Sequence, residues 1–136
     1  MSDYRFYAAI LRFVASKTGR DDARVAAMME CLNGVAAEVE ARGGFSVAAE
    51  RLELTARALA GVAAFLQKQI LPEVVAEGNG GGEAQVRWAI DTAMDGVNRL
   101  LSHAAQAAQA GGEGGPLAVN LPPPPAAVLG KASPHL

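Results

Sequence analysis

Residues 78 to 88 read GNGGGEAQVRW, four glycines in five positions running into a helical pattern. Such a stretch can wrap a phosphate at a helix N-terminus, or it can reverse the chain between two helices. The P-loop places Lys and Ser or Thr directly after its last glycine, and the dinucleotide fingerprint follows a buried strand. Here Glu83 and Ala84 follow, and the residues before Gly78 repeat with a helical period. Glu83 occupies the positive end of the coming helix dipole, where its charge repels an anion. Asn79 and the glycines tolerate the positive φ that a reversal needs. The stretch therefore reads as the turn of a helical hairpin, without a nucleotide or other cofactor.

The helices on either side follow from apolar spacing. After the turn, Val86, Ile90, Ala93, Val97, Leu100 and Ala104 mark a helix from about Glu83 to Ala110. Before it, Leu52, Ala56, Leu59, Ala63, Leu66 and Ile70 line the core face of another, with Ser46 as its expected N-cap. Pro72 either kinks that helix or opens a short new turn, PEVVAE. Ala56, Ala60 and Ala64 stand four apart, a spacing that lets a neighbouring helix approach closely. Further upstream, Val25, Met28, Leu32, Val35 and Val39 form a heptad-like seam on a helix from about Asp21 to Arg42, closed by Gly43-Gly44. The first helix runs from Asp3 to Lys17 and ends at Thr18-Gly19. It carries one stripe of Tyr4, Tyr7, Leu11 and Val14 and a second of Phe6, Ile10 and Phe13. No strand pattern is evident. The expected fold is all-α, an up-and-down four-helix bundle.

Composition changes after Ala110. Residues 111–136 hold six of the seven prolines. Two parts are predicted: a helical bundle over 1–110, and a flexible Pro/Gly-rich tail over 111–136 without regular structure beyond polyproline II at Pro122, Pro123, Pro124 and Pro125. Within the tail, Leu117, Val119 and Leu121 alternate ahead of the prolines. That pattern suggests a linear docking peptide.

A chain of 136 residues fits one domain. Its apolar fraction, 51%, supports a core, but aromatics are only 5% and alanine dominates, so the core is expected to be thin. Net charge is −2, with both signs interspersed, which gives no electrostatic pull toward nucleic acid. The single cysteine, Cys31, excludes an internal disulfide framework and fits a reducing cytoplasm. The N-terminal residues lack the uninterrupted apolar run of a signal peptide. The least polar run elsewhere, residues 58–66, is too short for a transmembrane segment. The excess of arginine over lysine fits a GC-rich bacterial genome.

Candidate chemistry is sparse. A four-helix carboxylate metal site needs a Glu-x-x-His pair, but Leu100 stands three residues before His103. No metal is expected. Cys31 and His103 would form a thiolate–imidazole pair only if two helices placed them side by side. The expectation is a non-enzymatic protein–protein interaction module, a self-assembling accessory subunit or adaptor. Tyr4, Phe6, Tyr7, Ile10 and Phe13 are its candidate homo-oligomer interface, since aromatics are enriched at such surfaces. Alanine-rich helices ending in AAQAAQA, with a Pro/Gly tail behind them, are also generically similar to phasins, the coat proteins of polyester granules. That similarity implies amphipathic helices laid on a lipid or polymer surface. A third possibility is an enzyme subunit whose site lies at an oligomer interface.

Overall fold

A computed structural model describes residues 4–18, 22–78, 80–109 and 116–122. It is all-α, as the periodicities predict, with one short strand pair added. The helices are α1 (Arg5–Lys17), α2 (Ala23–Arg42), α3 (Leu52–Phe65), α4 (Leu71–Ala76) and α5 (Gly80–Gln109). The strands are β1 (Gly44–Val47) and β2 (Leu117–Asn120). Packing is closest between α3 and α5 and between α1 and α2, and α2 joins the two pairs through α3.

Local chemistry sets the boundaries. The Asp22 carboxylate caps α2 by accepting from the Arg24 backbone N–H at 2.7 Å. Gly43 ends α2 in the left-handed region at φ 74°, its N–H donating to the Val39 carbonyl. α1 ends at Thr18, whose hydroxyl donates back to the Val14 carbonyl. The expected Gly19 cap and the Asp21 start lie outside the described residues.

Three expectations need correction. Ser46 is not a helix cap: it sits in β1, and a 3-10 turn at Ala49–Arg51 leads into α3 instead. Glu38, one turn before the end of α2, accepts from the Ser46 N–H at 3.1 Å and so holds the strand against its preceding helix. Pro72 stands in the first turn of a short α4, the second of its two expected alternatives, but α4 is not a separate helix. A five-residue π segment, Leu66–Ile70, joins α3 to α4. The missing proline N–H and the crowding of its ring against the preceding turn are met by a local widening of the helix. The result is a continuous helical rod from Ala49 to Ala76, 28 residues, and by length and composition alone it could cross a membrane. The third correction is that strands exist at all. β2, expected in the unstructured tail, pairs antiparallel with β1, Gly44 opposite Asn120 and Val47 opposite Leu117.

The core matches the predicted faces closely. Leu32, Val35 and Val39 of α2, Leu52, Leu59, Val62 and Leu66 of the rod, and Val86, Val97 and Leu100 of α5 are buried. Of the stripe Ala56, Ala60 and Ala64, Ala56 is buried, Ala60 half-buried and Ala64 exposed. α3 and α5 meet tightly at Gly96, where an added Cβ would come within 3.2 Å of a Leu59 methyl. Phe45 and Val47 from β1, with Val119 and Leu121 from the C-terminal segment, complete the core.

Candidate functional site

Two concave places lie beside β1. The first is an open groove of about 250 Å³ between α2, β1 and the start of α3. Cys31 and Arg51 meet there, with an Arg51 Nη2 donating to the Cys31 Sγ at 3.3 Å. The thiol is largely buried, and the guanidinium lies on the exposed side. The hydrogen bond to Cys31 is the first cause that holds the guanidinium above its ordinary value, with Glu30 and Glu50 adding to it, so it remains a cation. Glu38 and Ser46 form the polar wall, tied together through Arg42. His103 is on α5 and does not line this groove, so the structure does not bring Cys31 and His103 together there. The arrangement can hold a small thiol beside a cation. Among the described residues it supplies no general base at hydrogen-bond distance from the sulfur.

The second is a small, partly open cavity of about 10 Å³ beneath the C-terminal strand, room for roughly one water-sized sphere. Tyr7, Phe45, Leu59, Thr92 and Gly96 form its floor, and Val119, Leu121 and Pro122 form its roof. The Thr92 hydroxyl is buried there without a hydrogen-bond partner. The Tyr7 side chain is 1% exposed, and burial pushes its phenol far above the ordinary tyrosine value.

The candidate interface residues of α1 fall in different environments. Tyr7 is in the core. Tyr4 and Phe6 are half-buried, and together with Tyr7 they surround Trp88 of α5, with ring centroids 6.3, 5.2 and 5.6 Å away. Ile10 is half-buried against the core. Phe13 is 43% exposed, touching Phe65 on one side and Lys17 on the other. Of the second stripe of α1, Phe6 is thus covered in part by Trp88 and Ile10 by the core, while Phe13 stays exposed. Of the docking prolines, Pro122 is exposed at the rim of the small cavity. Pro123, Pro124 and Pro125 lie outside the described residues.

The glycine stretch resolves into a reversal and a helix start. Gly78 has φ 71°, and Gly80, Gly81 and Gly82 form the first turn of α5. Glu83 follows in that turn, its carboxylate 2.8 Å from the Arg87 Nε. Among the described residues there is no cluster of three or more potential metal ligands.

What the sequence reading missed is the strand pair. Its signal was present in the alternation of Leu117, Val119 and Leu121 and in Phe45 and Val47 two apart. Each run is only four residues long, and their partnership spans the whole helical body. Compared with protein-family models, with characterised proteins and with solved structures, the chain matches none.

Proposed function

We propose that this protein is a non-enzymatic helical interaction module that assembles with copies of itself. The observation that carries the reading is an apolar strip on the outer side of α5. Met94 and Leu101, seven residues apart and so on one helical face, are 40% and 45% exposed, with half-buried Ile90 one turn before them. α5 has 30 residues, against 13 in α1. It spans about 45 Å, so much of it lies beyond the reach of the first helix. Exposed large apolar side chains on one helical face are what a second helix covers when two copies meet.

Sedimentation velocity tests this. A dimer or larger species is expected at micromolar concentration. Met94→Asp with Leu101→Asp should shift it toward monomer while leaving the helical circular dichroism in place, because both side chains already face water. A monomer up to high micromolar concentration would overturn the reading.

The coat of a lipid or polymer surface is a second reading, favoured by the rod Ala49–Ala76. Only 28% of its most apolar 18-residue window is buried. Co-sedimentation with neutral vesicles separates the two, since a self-assembling module should stay in the supernatant.

A further inference from the structure

We infer that the small cavity beneath the C-terminal strand is a hydration site, in which one ordered water bridges the Thr92 hydroxyl of α5 to the main chain of Asn120 in β2. Volume decides the occupant: about 10 Å³ admits one water and nothing larger. Chemistry decides that the space is filled. Cavities that stay empty in proteins are lined by apolar groups alone. Thr92 is 6% exposed and lines this one, and its hydroxyl has no partner among the described residues. A buried hydroxyl left unbonded bears its full desolvation cost, whereas immobilising one water costs little.

A bound water needs at least two polar partners, and the strand register supplies the second. In an antiparallel pair, opposite residues that exchange main-chain hydrogen bonds alternate with opposite residues that do not. The Leu121 N–H donates to the Gly43 carbonyl at 3.1 Å, and the Ser46 N–H turns away from β2 to the Glu38 carboxylate. Both observations make Gly44 and Asn120, opposite in register, a pair without mutual hydrogen bonds. The Asn120 N–H and carbonyl therefore point away from β1, along the free edge of β2. α5 packs against that strand, and Asn120 lines the cavity together with Thr92 and Gly96 of α5. An unpaired strand edge is a liability that proteins cover. On the β1 side the Glu38 carboxylate takes the Ser46 N–H; on the β2 side α5 and its water meet Asn120. The same water gives the C-terminal strand a polar tie to the helical body, beside the burial of Val119 and Leu121.

The test is a crystal structure of the full-length chain, at a resolution that shows ordered waters, beside that of Thr92→Val. In the parent, one water is expected within hydrogen-bond distance of both the Thr92 Oγ1 and a main-chain atom of Asn120. In Thr92→Val, a side chain of nearly the same shape, that density should vanish while β2 keeps its register. Urea titration gives a second readout that needs no crystal. Thr92→Val should lower the midpoint, because a satisfied hydroxyl is lost and Asn120 loses its bridge. Removing an unsatisfied hydroxyl would instead be neutral or stabilising. An unchanged or raised midpoint therefore overturns the site. So does an empty cavity in the parent, a water that touches Thr92 without Asn120, or a Thr92 hydroxyl turned to a carbonyl of its own helix.

Discussion

At the scale of single residues, the glycines and the lone buried hydroxyl make the sharpest contrasts. Gly34 lies in the exposed middle of α2, with nothing within 4 Å of where its Cβ would be. Gly34→Ala should raise stability by about 0.5–1 kcal/mol, the ordinary gain of alanine over glycine in a helix. Gly44→Ala, one strand away, should lower it by about 1–3 kcal/mol, because the new methyl meets a backbone carbonyl that cannot turn aside. Urea titration of the two variants should therefore move the midpoint in opposite directions. Thr92→Val keeps the shape and removes a hydroxyl without a partner among the described residues. With a water bonded to that hydroxyl, the change should lower stability by about 0.5–1.5 kcal/mol. A gain instead would mean that the hydroxyl is unbonded in solution. Tyr7 adds a pH term. Below pH 10 its phenol is neutral in both folded and unfolded chains and contributes no slope. Above the unfolded value near 10, the unfolded chain ionises while the buried phenol keeps its proton. Stability should fall with rising pH from there, at up to about 1.4 kcal/mol per unit, until the folded phenol ionises too. Tyr7→Phe should flatten the alkaline limb of stability measured between pH 9 and 12.

Among the elements, α2 shows best what a sequence discloses. Its seam of Leu32, Val35 and Val39 was legible because a helix writes its buried face locally, every three or four residues. All three are buried, and Leu32 is 0% exposed. Leu32→Ala should cost about 2–5 kcal/mol in chemical denaturation, as a cavity in a close-packed core does. A midpoint unchanged within error would place Leu32 outside the core. The features that escaped reading depend on distant partners. β1 becomes a strand only because residues 70 to 76 positions later pair with it. The contacts of Tyr4, Phe6 and Tyr7 with Trp88 also escaped, since nothing near these aromatics in sequence announces a partner on α5. Pro72 is readable as the start of α4, but the π segment that joins α4 to α3 has no mark in the apolar spacing. Neither concave place beside β1 was foreseen, because each needs the strand to exist before it can form. Cys31 was recognised, but its neighbour Arg51, twenty residues on, follows from the 3-10 entry into α3 rather than from spacing.

For the molecule as a whole, the question is whether the C-terminal strand belongs to the folding unit. A tail independent of the helices would carry no share of the stability. Here Val119 and Leu121 are 3% and 7% exposed, and they close the core over Tyr7, Phe45 and Leu59. Burying two such side chains contributes about 1.5–3 kcal/mol each, a large fraction of what holds a small domain folded. Two leucines in the full-length chain make the comparison. Leu121→Ala should destabilise by about 2–5 kcal/mol even though it lies beyond the last helix. Leu101→Ala, within α5 but 45% exposed, should change stability by no more than about 0.5 kcal/mol. In the Leu121→Ala chain, far-UV circular dichroism and Trp88 fluorescence should still lose their signals at one denaturant concentration, lower than in the parent. Trp88 reports the α1–α5 junction, whereas circular dichroism reports all helices. Coincident transitions would therefore mean that strand and helices unfold as one body. If Leu121→Ala were silent while Leu101→Ala were costly, the core would close without its C-terminal strand.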